Sequence, residues 1–105
     1  MISNCPTYWV KIYIAGPIKV AKQIIRRECK AEGLCVTIDP TTFIYTGGEE
    51  TGYVVQLINY PKYPVSNFVT QNRATKLALM LKSETFQDSV LIMDSVGTQW
   101  TTDRL

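Results

Sequence analysis

The sequence predicts an α+β domain: a four-stranded antiparallel sheet with two helices on one face and a long hairpin between the second and third strands. Three observations predict it. Apolar residues alternate with period two around residues 8–15, 34–45, 53–60 and 89–94. Two intervening stretches, 18–32 and about 66–84, instead repeat apolar residues at helical spacing. A glycine cluster over residues 46–52 separates the second and third strands. At 105 residues the chain builds one domain around one core.

Each element has a local reason. In strand 8–15, Val10, Ile12 and Ile14 share one face, while Trp9, Lys11, Tyr13 and Ala15 share the other. Gly16 stops the strand, and Pro17 is pre-set for the first helical position. In helix 18–32 the inward stripe is Ala21, Ile24, Ile25 and Cys29, with Gly33 as its cap. Val36 and Ile38 face oppositely to Cys35 and Thr37 in strand 34–39. Pro40 has no amide donor, so it interrupts this strand and marks an edge or a bulge. The strand resumes over 42–45. Residues 46–52, with three glycines in seven, form the turn, and 53–60 is the return strand. Ser66 or Asn67 caps the second helix, whose core positions are Ala74, Leu77, Ala78 and Leu81. The last strand is 89–94, followed by a short tail, 96–105, containing Trp100. Two strand–helix–strand units joined by a hairpin make the ferredoxin-like order βαββαβ, with one domain spanning 1–105.

The sheet's second face has no element left to cover it. Yet Trp9, Tyr13, Val54, Ile58, Leu91 and Met93 alternate onto it. Leaving large apolar side chains in water forgoes about 1.5–3 kcal/mol each, and such a patch marks an interaction surface. Self-association through this face is the expectation.

Composition removes several function classes. There is no histidine, which excludes Ser-His and Cys-His nucleophile pairs and the commonest transition-metal ligand. The three cysteines, Cys5, Cys29 and Cys35, have no metal-site spacing and are expected to be free thiols, two of them buried. A net charge of +2 does not argue for nucleic acid. No apolar run reaches the ~18 residues of a membrane span, and the first residues lack a signal-peptide pattern. The expected location is the cytoplasm, with no membrane partner, no cofactor and no metal.

A resemblance adds to this. The run Ala21-Lys22-Gln23-Ile24-Ile25, then Leu34-Cys35-Val36-Thr37-Ile38-Asp39-Pro40, Ile44-Tyr45, the glycines, Glu49-Glu50 and the apolar return strand resembles the divalent-cation-tolerance (CutA) family, over about two-thirds of the chain. Gln99-Trp100 sits where such proteins carry an aromatic tail. The resemblance implies a homotrimer packed sheet against sheet. It departs from the family in having Gly47-Gly48 rather than tryptophan near the hairpin turn, Asn59-Tyr60 at the end of the return strand, and no histidine. Metal binding is therefore not carried over. The related PII signalling architecture binds nucleotides in clefts between subunits, a likeness of fold only.

The candidate site follows from these parts. Gly16 and Pro17 open a helix whose free amides suit an anion. Lys19, Lys22 and Arg26, with Arg27 and Lys30, hold five of the eleven cations, although a solvated helix face is the more ordinary account of them. Tyr45, Gly47 and Gly48 form a hairpin tip able to fold over a ligand, and Trp100 offers a stacking surface. The adjacent carboxylates of Glu49 and Glu50 point to opposite faces and make no catalytic pair. Without a nucleophile–base pair, the expectation is a non-enzymatic, trimeric protein that binds a small anionic, nucleotide-like ligand in intersubunit clefts. The alternative is a small phage-type inhibitor that binds a host protein or sequesters a nucleotide signal.

Overall fold

The structure, a computed structural model, describes residues 1–104; Leu105, the end of the expected tail, lies outside the described residues. The chain is an α+β fold of two helices and a five-stranded antiparallel sheet. Its elements are β1 (Trp9–Ala15), α1 (Ile18–Glu32), β2 (Val36–Tyr45), β3 (Gly48–Ile58), α2 (Asn67–Glu84), β4 (Ser89–Asp94) and β5 (Thr98–Thr102). The strands lie in the order β2-β3-β1-β4-β5.

The expected four strands become five. The tail is not a loose end but a strand, paired from Ser89↔Thr102 to Met93↔Thr98. Asp94 builds the connection. Its Oδ1 accepts from the amides of Val96 and Gly97, both at 2.9 Å, and its own amide donates to Gly97 O at 3.0 Å. An aspartate that turns the backbone on itself in this way lets the β-prone run Thr98-Gln99-Trp100-Thr101-Thr102 return alongside β4.

Two local expectations are also corrected. Pro40 does not interrupt β2. The strand runs unbroken, with Pro40 opposite Tyr53, because β2 is an edge strand and the missing amide faces no partner on its outer side. The turn is shorter than residues 46–52. It comprises Thr46 and Gly47, with Gly47 at φ 94 and Tyr45 paired to Gly48, so both glutamates lie on β3.

The core lies between the helices and one face of the sheet. Val10, Ile12 and Ile14 of β1, Tyr53, Val55 and Leu57 of β3, and Val90 and Ile92 of β4 face Ala21, Ile24 and Ile25 of α1 and Ala74, Leu77, Ala78 and Leu81 of α2. Ser66 caps α2 by accepting the Val69 amide at 3.2 Å. Across the helix layer, Arg27 donates to Glu84 (3.1 Å to Oε1) and Lys76 pairs with Glu32. These pairs are exposed, so solvent screening leaves each with a small contribution to stability.

All three cysteines are free, but none is fully buried: Cys5 and Cys29 are half-buried and Cys35 is exposed. Cys29 lies at the margin of the core, where burial raises its thiol pKa, and Cys35 precedes β2 at the sheet's edge. The expectation of two buried thiols fails because edge and margin positions leave a side open.

Two tyrosines couple the core to pH. The Tyr8 hydroxyl donates to Asp94 Oδ2 at 2.8 Å. Burial, then Asp94 itself, pushes the Tyr8 phenol up to about 12. The same hydrogen bond, with the two turn amides, holds the Asp94 carboxyl below its usual 3.8. Tyr53 is fully buried, its hydroxyl makes no strict hydrogen bond, and burial lifts it to about 12 while nearby Thr85 offsets this in part. Stability from the raised phenols is complete below pH 10 and is lost as pH rises toward 12. Stability from Asp94 is complete above 3.8 and is lost as pH falls through its lowered value. Urea midpoints should therefore be flat at neutral pH and fall at both extremes. Asp94→Asn should lower the neutral midpoint and flatten the acid limb; an unchanged acid limb contradicts the assignment.

Candidate functional site

The site begins with a mismatch of strand lengths. β1 ends at Ala15, opposite Gly52 of β3, while β2 and β3 run on to their turn. Beyond Gly52 the hairpin is a free two-stranded arm, about four residues or ~13 Å long at ~3.3 Å per residue. The molecule's longest dimension, 51 Å against 29 and 23 Å, accords with such an arm.

Gly52 makes the base of the arm. A Cβ there would lie 2.4 Å from the Ile14 carbonyl oxygen, 2.8 Å from Ala15 Cα and 2.5 Å from the Phe43 ring. Two of those neighbours are backbone and have nowhere to go. The missing side chain lets β3 press against the end of β1 and lets the Phe43 ring lie over the contact.

The arm walls one end of a groove on the sheet's uncovered face, a cavity of about 750 Å³. Its floor is Tyr13 and Ala15 of β1 with Ser89, Leu91 and Met93 of β4. Pairing puts these on one face: Tyr13 is opposite Leu91, and Leu91 is opposite Trp100 of β5. Phe43, Ile44 and Glu50 contribute from the arm; Phe86, Gln87 and Asp88 come from the α2–β4 turn. Arg104 completes the lining, its Nε 3.4 Å from Asp88 Oδ2. Ser89 and Thr102 share a hydroxyl hydrogen bond at 2.8 Å. Glu50 makes no ion pair or side-chain hydrogen bond among the described residues, so the groove holds one free carboxylate and one paired with a guanidinium.

Phe86 is the unusual member. It has φ 57, the left-handed region, and its ring is 92% exposed. For a bulky residue this conformation costs about 1–3 kcal/mol.

The second face is uncovered, but it is mixed rather than uniformly apolar. Lys11, with its Nζ 5.3 Å from the centre of the Trp9 ring, Gln56 and Thr37 lie in one row across its middle. Trp9 and Ile58 lie on one side of that row, and Tyr13, Leu91 and Trp100 lie toward the groove on the other.

Of the residues expected to bind a ligand, Trp100 alone lines this groove. Gly16 is next to it: its amide donates to Thr51 O at 3.1 Å, and it lies against the Gln87 side chain. Pro17, exposed, caps α1 with no side-chain hydrogen bond. Lys19, Lys22 and Arg26 lie on α1, in the layer on the other side of the sheet. Tyr45, Gly47 and Gly48 form the arm's tip, where the Tyr45 ring is 3.3 Å from where a Gly48 Cβ would stand. The sequence reading missed Phe86, Glu50 and Tyr13 as groove residues. Glu50 and Tyr13 could have been found by following the period-two alternation onto the uncovered face; Phe86 had no periodic signal. Among the described residues no cluster of acids and cysteines could hold a metal ion, and no helix is long and apolar enough to cross a membrane.

No protein-family model matches the chain, and no curated protein matches it. Two solved structures do. A phage SAM lyase in complex with S-methyl-5'-thioadenosine aligns with a TM-score of 0.72 at 16% identity, over 97% of this chain and 94% of that one. A phage SAM lyase in its apo state aligns with a TM-score of 0.68 at 18% identity, over 93% and 90%. These likenesses establish a shared fold along nearly the whole length of both chains.

They also correct the functional expectation. The two matched structures are of an enzyme, a phage SAM lyase, and not of the CutA family, so the readings as a non-enzymatic binding protein and as a sequestering inhibitor are withdrawn. One neighbour holds S-methyl-5'-thioadenosine, a small nucleoside-like ligand. Excluding catalysis for want of histidine assumed that a protein must supply the reacting groups.

Gly52→Ala should be among the most damaging small substitutions in the chain. Overpacking against backbone predicts a loss of about 1–3 kcal/mol in urea unfolding. Gly47, whose added Cβ would meet nothing within 4 Å, should lose only the smaller cost of its positive φ. Equal losses at the two positions would contradict the close approach.

Proposed function

We propose that the chain is a lyase acting on S-adenosylmethionine, binding it in the groove beneath the hairpin arm and releasing S-methyl-5'-thioadenosine. The observation that carries this reading is the groove itself. It is an aromatic-lined cavity of about 750 Å³ with a free carboxylate, on an α+β fold that aligns over 97% of this chain and 94% of the phage SAM lyase. Its size falls within the roughly 300–1,000 Å³ of small-molecule sites.

The chemistry suits a chain without histidine. Release of methylthioadenosine from S-adenosylmethionine breaks the bond between sulfur and the γ-carbon of the amino-acid side chain. The substrate carries its own nucleophile: its carboxylate oxygen attacks the γ-carbon, the new C–O bond closes a five-membered lactone, and the C–S pair passes to sulfur. Sulfonium becomes neutral thioether, so the leaving group needs no proton. No base is needed either, because no proton moves.

What the protein supplies is conformation and surroundings. Folding the chain so that oxygen and γ-carbon are in line converts a floppy substrate into a near-attack conformer. The reacting carboxylate and sulfonium neutralise each other in the transition state, so an apolar groove that replaces water favours the step. Glu50 fits the substrate's ammonium group, whose charge persists throughout. Placing it on the sulfonium would stabilise the ground state more than the transition state.

The uncovered face supports a further part of this reading. Trp9 and Ile58 at one end of the sheet, and Leu91, Met93 and Trp100 at the groove, belong to a surface no element of the chain covers, and we propose that copies associate through it as a homotrimer. The cytoplasmic location expected from the sequence suits a substrate made inside cells.

Incubation with S-adenosylmethionine should yield methylthioadenosine and homoserine lactone in equal amounts by liquid chromatography. Failure to exceed the spontaneous rate would refute the reading. Glu50→Gln should raise KM about ten-fold, as expected for a lost charged hydrogen bond, with little change in kcat; a collapse in kcat alone would give Glu50 a different role. Sedimentation equilibrium at micromolar concentration should return three times the chain mass, and a monomer there would remove the proposed assembly.

A further inference from the structure

We propose that Phe86 is the side chain on which the adenine ring of the ligand stacks, and that it holds a strained backbone for that purpose. This rests on reading the groove as an adenosine site and names the group that selects the purine.

The backbone at Phe86 is built, not loose. Its N–H donates to Ser83 O at 3.3 Å and the Gln87 N–H donates to Lys82 O at 2.9 Å. Those two bonds close the end of α2 around a residue in the left-handed conformation, a place ordinarily held by glycine. The chain follows that preference elsewhere: α1 ends with Gly33 at φ 68. At the end of α2 it sets a phenylalanine at φ 57 instead. The usual return for a phenyl ring is burial, and this ring is 92% exposed. Nothing within the folded chain therefore accounts for it.

What the ring does have is a position. It lines the groove with Tyr13 and Trp100. The turn's hydrogen bonds fix the Cα–Cβ direction, so the ring projects from a set point in the groove's lining. Of the parts of a methylthioadenosine, the purine alone has a large π-surface to lay against it; the ribose presents hydroxyls and the methylthio group is small. Backbone strain held at a ligand contact is a recurrent arrangement, and stacking on an aromatic ring is a strong, geometry-tolerant way to hold a base.

The test exploits the opposition between stability and binding. Phe86→Gly should raise the unfolding midpoint by about 4–8 °C, because glycine relieves the left-handed strain, while weakening methylthioadenosine about ten-fold or more in titration calorimetry. Phe86→Trp should keep wild-type affinity within a few-fold and show no thermal gain. Phe86→Gly binding as tightly as wild type overturns the proposal, as does a lowered midpoint, which would mean that the ring packs within the fold. A change in sedimentation without a change in affinity overturns it too, assigning the ring to a contact between copies. Wild-type protein that fails to bind methylthioadenosine removes the adenosine site and this inference together. Wild-type binding with an unaffected glycine variant removes the role of Phe86 alone.

Discussion

The contact that the rest of the structure depends on is the crossing of β3 over the end of β1 at Gly52. With no side chain there, the Ile14 carbonyl and Ala15 can lie against β3, and the Phe43 ring closes over the gap. Below this point β3 is a central strand, paired on both sides and buried through Tyr53, Val55 and Leu57. Above it the same strand pairs only with β2 and becomes an arm. One residue thus divides the hairpin into a part that makes the core and a part that makes a wall. A β-carbon at that position would push the strands apart where the floor of the groove meets its side.

Much of this was legible in the sequence, and the reasons differ by element. Helix α1 and strand β4 were readable to the residue, because Ala21, Ile24 and Ile25 repeat at helical spacing and Val90 and Ile92 alternate between turn residues. Pro40 marks an edge strand as expected, but the expected break did not follow, because a missing donor matters only where a partner strand would receive it, and β2 has none on its outer side. The glycines over-stated the turn: Gly52 serves a close approach, not a positive φ. Strand β5 was missed although Thr98-Gln99-Trp100-Thr101-Thr102 is rich in strand-forming residues. Its existence depends on side-chain and backbone bonds from Asp94 that hydropathy does not register.

The candidate site was less legible than the fold. Residues were nominated by chemical type: glycine and proline at a helix start, lysines and arginines on a helix, aromatics in a tail. Only Trp100 proved to share the cavity, because the paired register carries it beside Leu91 and Tyr13. Glu50 was set aside as half of a catalytic pair because Glu49 points to the opposite face, a test for acid–base work that says nothing about holding a cation. Phe86 lies between a helix and a strand, where periodicity says nothing, and its significance rests on a backbone angle.

Charge distribution gives the sharpest reason to separate the basic helix from the groove. The chain has a net charge of +2, and the cluster on α1 accounts for much of its positive charge. S-adenosylmethionine is itself a net cation at neutral pH, so a groove lined by that cluster would repel it. The fold keeps the two apart: Lys19, Lys22 and Arg26 lie on α1 across the sheet, while the groove contains Glu50 and the Asp88–Arg104 pair. The local balance in the groove is therefore negative by one carboxylate within a positive molecule. Under the proposed function, that balance suits entry of the cation and leaves a product without charge on sulfur to be held by stacking and shape. In that proposal the neutral thioether leaves with no ion pair to break.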